Sequence, residues 1–280
     1  METRQVRIGC TFTYVAEIAT PVVFHVQPRS DPDITLAGER HTSEPKMPLG
    51  DYADLYGNPC TRAILPPGRS QFSYGAVATV PDTTEDADPD APELPPEALP
   101  DDTLIYALPS RFCLPDLLGD QAWSEFGGLA PGYRRVQAIC DYVNGHLTFA
   151  YGSTTALSTA ADVFESGRGV CRDFTHLAIS FCRALNIPAR YVFGYLPDMD
   201  VPPDPAPMDF SAWFEVYLDG RWFTFDARHN HPRIGRVVMA RGRDAADVAI
   251  STTFGTAQLA RFKVITEEVS VQSTSVFRAA

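Results

Sequence analysis

At roughly 100–200 residues per domain, a chain of 280 residues predicts two domains. With 45% hydrophobic and 11% aromatic residues it can bury a core, which excludes wholesale disorder. A net charge of −12 repels phosphate backbones and anionic lipid, so nucleic-acid and membrane partners are disfavoured.

No apolar run reaches the length of a membrane span, and Met1 to Gln5 show no secretory pattern. The six cysteines (10, 60, 113, 140, 171, 182) form no CxxC pair and no metal-type spacing. Free thiols in a reducing cytoplasm are therefore the expectation. No nucleotide-binding glycine loop or calcium loop is recognisable, so no cofactor and no metal are expected.

In chain order, residues 6–80 alternate short apolar runs with turn signals. Val6 to Ala16 and Thr20 to Val26 read as strands, with connections at Gly50-Asp51-Tyr52, Tyr56 to Pro59 and Pro66-Pro67-Gly68. This pattern predicts an antiparallel β-sandwich over 1–80. Residues 81–102 carry nine acidic residues, six prolines and no basic residue, which predicts an extended acidic linker.

From 103 to 280 a second, α+β domain is predicted. Gly132 to Leu147 shows helical spacing, and Ser158 to Glu165 reads as a short capped helix. Residues 171–185 form an amphipathic helix. Ala189 to Tyr195, Ser211 to Leu218 and Arg221 to Asp226 read as strands, the last two joined by an Asp219-Gly220 hairpin turn. Residues 258–270 read as one further strand of this half.

Cys171 follows Gly169-Val170 and opens the amphipathic helix. A helix start offers free N–H groups and positive potential, which favour a thiolate and a developing oxyanion. The competing reading is a small apolar residue packed at a helix start.

The run GVCRDFTHLAISFCRALNIPARYVFGY (169–195), followed by AWFEVYLDGRWFTFDAR (212–228), resembles the transglutaminase-like family of papain-type cysteine enzymes. The likeness covers 103–265, and the strands of 6–80 are similar to the β-sandwich that precedes the catalytic domain in bacterial members. It implies a nucleophile-bearing helix packed on an antiparallel sheet, with Cys171 as nucleophile and Asp226 as orienting carboxylate. It implies acyl transfer or hydrolysis on a peptide or protein amide. The family places its general base in an HAW-x-E pattern, where this chain has Ser211 before Ala212-Trp213. Serine cannot take a thiol proton near neutral pH.

His229, three residues after Asp226, is the candidate substitute base; its other reading is a local cap or turn. His176 lies about 140° around the helix from Cys171, too far round to pair with it. His146 and Tyr151 are candidate cleft-border residues, whereas His25 and His41 carry no chemical signal. Arg228 to Arg236 is a polar segment with donors for a substrate carboxylate. Two functions follow as expectations: a thiol enzyme acting through Cys171, or a catalytically impaired module that binds peptide or protein in the same cleft. The oligomeric state is not set by these features.

Overall fold

The computed structural model describes residues 2–269. Strands β1 (Thr3–Ala16), β2 (Thr20–Phe24), β3 (Thr35–Glu44), β4 (Gly50–Ala53), β5 (Pro59–Leu65) and β6 (Gly68–Pro81) come first. Val6, Ile8, Cys10, Phe12, Tyr14 and Ala16 of β1 are all buried, the period-2 alternation of a strand with one face on a core. Two four-stranded antiparallel sheets result, and the Phe24 ring of β2 stacks on Phe72 of β6 at 4.1 Å between them. Gly50-Asp51-Tyr52, expected as a connection, lies in the strand Gly50–Ala53, which pairs with β5.

The C-terminal half contains α1 (Gly119–Phe126), α2 (Tyr133–His146), β7 (Thr148–Phe149), α3 (Ala160–Ser166), β8 (Arg168–Gly169) and α4 (Cys171–Ala184). There follow β9 (Ala189–Tyr195), β10 (Ser211–Leu218), β11 (Arg221–Phe225), β12 (Val237–Gly242), β13 (Ser251–Thr253) and β14 (Gln258–Glu268). The third sheet runs β11-β10-β9-β12, all antiparallel, and α4 packs on β9 and β10. Helices α1, α2 and α3 surround α4 on its other sides. Phe126 of α1, Tyr142 of α2 and Phe164 of α3 each meet the Phe181 ring edge-on at 5.5–6.0 Å. Losing a ring so placed costs about 3–5 kcal/mol.

Two expectations are corrected. The strand expected over 258–270, whose last residue lies outside the described residues, does not extend the third sheet: β14 pairs antiparallel with β1 from Val6↔Glu268 to Val15↔Gln258. Strand β13 likewise joins β2. The chain thus returns after β12 to the two sandwich sheets. Edge pairing with β1 satisfies backbone groups that β1 would otherwise expose.

Nor is 81–102 a solvated spacer. It lies as a strap across the C-terminal half, with Ala91 and Leu99 buried. The Ala91 carbonyl accepts from Tyr133 N–H (2.9 Å), and the Pro92 carbonyl accepts from Asp219 N–H (3.0 Å). Its acidic residues have cationic partners: Glu93 pairs with the buried Arg135 at 3.2 Å, and Glu85 with Arg236. Composition signalled disorder because those partners lie far along the chain.

Candidate active site

The start of α4 is built by its own first turn. Val170 is the N-cap, and its N–H donates to the Asp173 carboxylate at 2.9 Å. Asp173 is fully buried and also accepts from the Thr154 hydroxyl (2.6 Å) and from Arg172 Nε (3.0 Å). Its hydrogen bonds are thus spent on the cap and Arg172. Gly169 is required here, because a Cβ would stand 2.7 Å from that of Asp173.

This turn presents Cys171, a partly exposed residue where the other five cysteines are buried, with its thiol turned inward. Its Sγ lies 3.9 Å from the Phe210 carbonyl. Burial of the thiol group pushes its pKa up, against the helix-start expectation. Arg228 and the backbone N–H groups of Ala212 and Arg172 pull the other way, while Asp209 adds to the rise. Arg228 was expected to face a substrate carboxylate and Asp209 carried no signal; the nearness of both to sulfur depends on how the loops after β9 and β11 fold back.

Asp226 stands directly after β11. Its Oδ1 accepts the N–H groups of Arg228 and His229, each at 3.0 Å. Its Oδ2 meets Arg236 at 2.8 Å and His229 Nδ1 at 2.9 Å. Burial alone would raise this carboxyl, but Arg236 and His229 outweigh it and hold Asp226 well below the usual carboxylate range. A permanently ionised Asp226 makes Nδ1 of His229 the donor, which leaves Nε2 with its lone pair whenever the ring is neutral. Arg236, which also lies 4.7 Å over Trp213, was expected to face a substrate carboxylate and instead holds that of Asp226.

A cleft of about 420 Å³ collects Tyr151, Asp209, Phe210, Ser211, Arg228 and His229 on its walls. Ser211 opens β10 opposite Gly194 and is nearly buried. Ser211 and His229 thus border one space, and Phe210 on its wall has its carbonyl 3.9 Å from the Cys171 sulfur. His231 shares this cleft, edge-on to His229 at 6.0 Å with Nδ1 2.7 Å from the His229 carbonyl, whereas His176 and His146 lie elsewhere. His176 is buried, stacks on Phe112 and accepts from the Ala245 N–H at 3.1 Å. His146 stacks between Tyr142 and Phe164 on the α2–α3 side.

The arginines expected to capture a substrate carboxylate have internal partners instead. Arg228 faces Asp204 at 3.5 Å, Arg233 faces Asp198 at 3.1 Å, and Arg236 holds Asp226 and Glu85.

A half-open cysteine starting a helix, packed on an antiparallel sheet whose neighbouring strand ends in a buried carboxylate, defines a thiol-enzyme-like α+β fold. The family model described as the transglutaminase-like superfamily matches residues 121–227. The crystal structure of a provisionally assigned cysteine protease from Cytophaga hutchinsonii is 30% identical, with a TM-score of 0.86. That match covers 96% of this chain and 92% of the other. The chain belongs to the transglutaminase-like superfamily. Uncharacterised proteins of Mycobacterium leprae and Mycobacterium tuberculosis are each 32% identical, over 119 and 143 residues. Those matches cover 41% and 48% of this chain but only 42% and 45% of the relatives, so less than half of each mycobacterial protein is spanned. His229 falls just beyond the stretch that the family model matches.

Proposed function

We propose that this protein is a thiol enzyme acting on peptide or protein amides, with Cys171 as nucleophile, His229 as base and Asp226 as its orienting carboxylate. The observation that carries the reading is the 2.9 Å hydrogen bond between His229 Nδ1 and Asp226 on the wall of the cleft. A base oriented by a third group is the arrangement that thiol catalysis needs. Here it arises from the loop after β11, while Ser211 occupies the position that the family pattern gives to histidine.

The steps balance as follows. Because burial holds the thiol protonated at rest, Nε2 of His229 removes the proton as Sγ bonds to the amide carbon. The resulting oxyanion is held by backbone N–H groups near the sulfur, those of Ala212 and Arg172 being the candidates. Collapse breaks the C–N bond, and the amine leaves with the proton carried by His229. An acyl-thioester remains on Cys171, and water or a second amine releases it with His229 again as base.

Turnover on a peptide-amide panel, with mass-spectrometric capture of the acyl-thioester, tests this. Cys171→Ser and His229→Ala should each lose at least about 10³-fold in kcat, whereas Ser211→Ala should change little. Retained turnover in His229→Ala would sink the assignment of the base.

A second reading, a binding module without turnover, rests on Ser211. It is favoured if the wild-type chain forms no acyl-thioester and Ser211→His creates one.

A further inference from the structure

We propose that His25, Asp54 and Cys60 form a transition-metal site, chemically suited to Zn²⁺, where the sandwich meets the C-terminal half. His25 follows β2, Asp54 follows β4, and Cys60 lies at the start of β5. His25 Nε2 lies 3.2 Å from Cys60 Sγ and 3.5 Å from Asp54 Oδ2. All three ligand atoms fall within 4.8 Å of one another. A tetrahedral zinc with Zn–S of ~2.3 Å and Zn–N or Zn–O of ~2.0–2.1 Å spaces its ligands by about 3.3–3.6 Å. The two distances to His25 Nε2 stand close to that spacing.

Each of the two outer ligands is aimed from behind. His25 Nδ1 lies 2.8 Å from the Ala249 carbonyl, which can only accept, so Nδ1 carries hydrogen and Nε2 faces inward with its lone pair. Asp54 Oδ1 accepts the N–H groups of Tyr56 and Asn58, each at 2.8 Å, and Oδ2 accepts Asn58 Nδ2 at 2.8 Å. These bonds fix the carboxylate and leave a lone pair of Oδ2 toward His25.

Without a cation, the lone pairs of Nε2 and Oδ2 face each other at 3.5 Å, and the one S–H proton of Cys60 goes either to Nε2 at 3.2 Å or to the Asn58 carbonyl at 3.5 Å. A dication serves all three ligands. His25 and Cys60 are buried, and a thiolate with a carboxylate sums to −2, which a divalent ion neutralises. Sulfur and imidazole ligands favour zinc-type ions over calcium or magnesium. As the metal–sulfur bond forms, the thiol proton leaves to solvent.

The site would pin the junction. Asn58, which holds Asp54, also donates to the Arg241 carbonyl of β12 at 2.9 Å, and the His25 N–H donates to the Ile250 carbonyl at 3.0 Å.

The test is titration of the metal-stripped full chain with Co²⁺, reading the thiolate-to-cobalt charge-transfer absorption. One equivalent should produce the band, excess Zn²⁺ should displace it, and Cys171→Ser should retain it. Cys60→Ser should abolish it, and Asn58→Ala should weaken Co²⁺ affinity about 10–100-fold. If Cys60→Ser does not fold, the isosteric Asp54→Asn decides, with an expected loss of at least about tenfold. Absence of the band at saturating Co²⁺ in Cys171→Ser overturns the proposal. So does a band that survives Cys60→Ser, or an affinity that Asp54→Asn leaves unchanged.

Discussion

Opposing effects meet on the sulfur of Cys171. The helix start and the N–H groups of Ala212 and Arg172 favour the thiolate, yet burial outweighs them and the thiol is pushed up. The spacing Gly169-Val170-Cys171 reveals the first effect and is silent on the second, because burial depends on Phe210 and the cleft walls. Alkylation of Cys171 by iodoacetamide should therefore rise with pH through an inflection above the free-thiol value of ~8.5. Peptide-resolved alkylation rates measure it, and an inflection below that value would mean a preformed thiolate–imidazolium pair. Cys171 and Asp226 were legible through the ordered motif around them. Arg236 was legible only as a donor for a substrate carboxylate; its pairing with Asp226 was not, since a loop folding back ten residues later makes that contact.

Helix α4 carries its chemistry on one end and its stability along its length. Periodicity identified the helix and its inward residues, and most of them are buried. His176 is also buried, and desolvation lowers its pKa from 6.5 to about 3, with Arg172 adding to the fall and Asp173 opposing it. The unfolded chain therefore binds a proton near pH 6.5 that the folded chain refuses until about 3. Stability from this group is present above pH 6.5 and is lost as pH falls through that window, by up to about 1.4 kcal/mol per pH unit. Urea melts of wild type and His176→Gln should show a stability gap that narrows on acidification below pH 6.5. Parallel curves would contradict this account.

Over the whole molecule, the two halves are interlocked. The strap 81–102 packs on the C-terminal half, β13 and β14 close the two sandwich sheets, and the Tyr195 hydroxyl donates to the Val26 carbonyl across the junction at 3.0 Å. Calorimetry of the full chain should show one unfolding transition, and residues 103–280 expressed alone should not fold, because β14 then lacks β1. Two separated transitions, or a folded 103–280 fragment, would refute this. By itself the sequence determined β1, β2, the helices α2, α3 and α4 around Cys171, the strands β9 to β11 and the family, because alternation, helical spacing and the Cys171–Asp226 motif are written in near neighbours. The tertiary structure alone decided that the last strand returns to the first, that Glu85 and Glu93 have arginine partners, and that His229 hydrogen-bonds Asp226 beside Ser211. Each of those depends on residues brought together by long-range folding, whose separation along the chain carries no periodic signal.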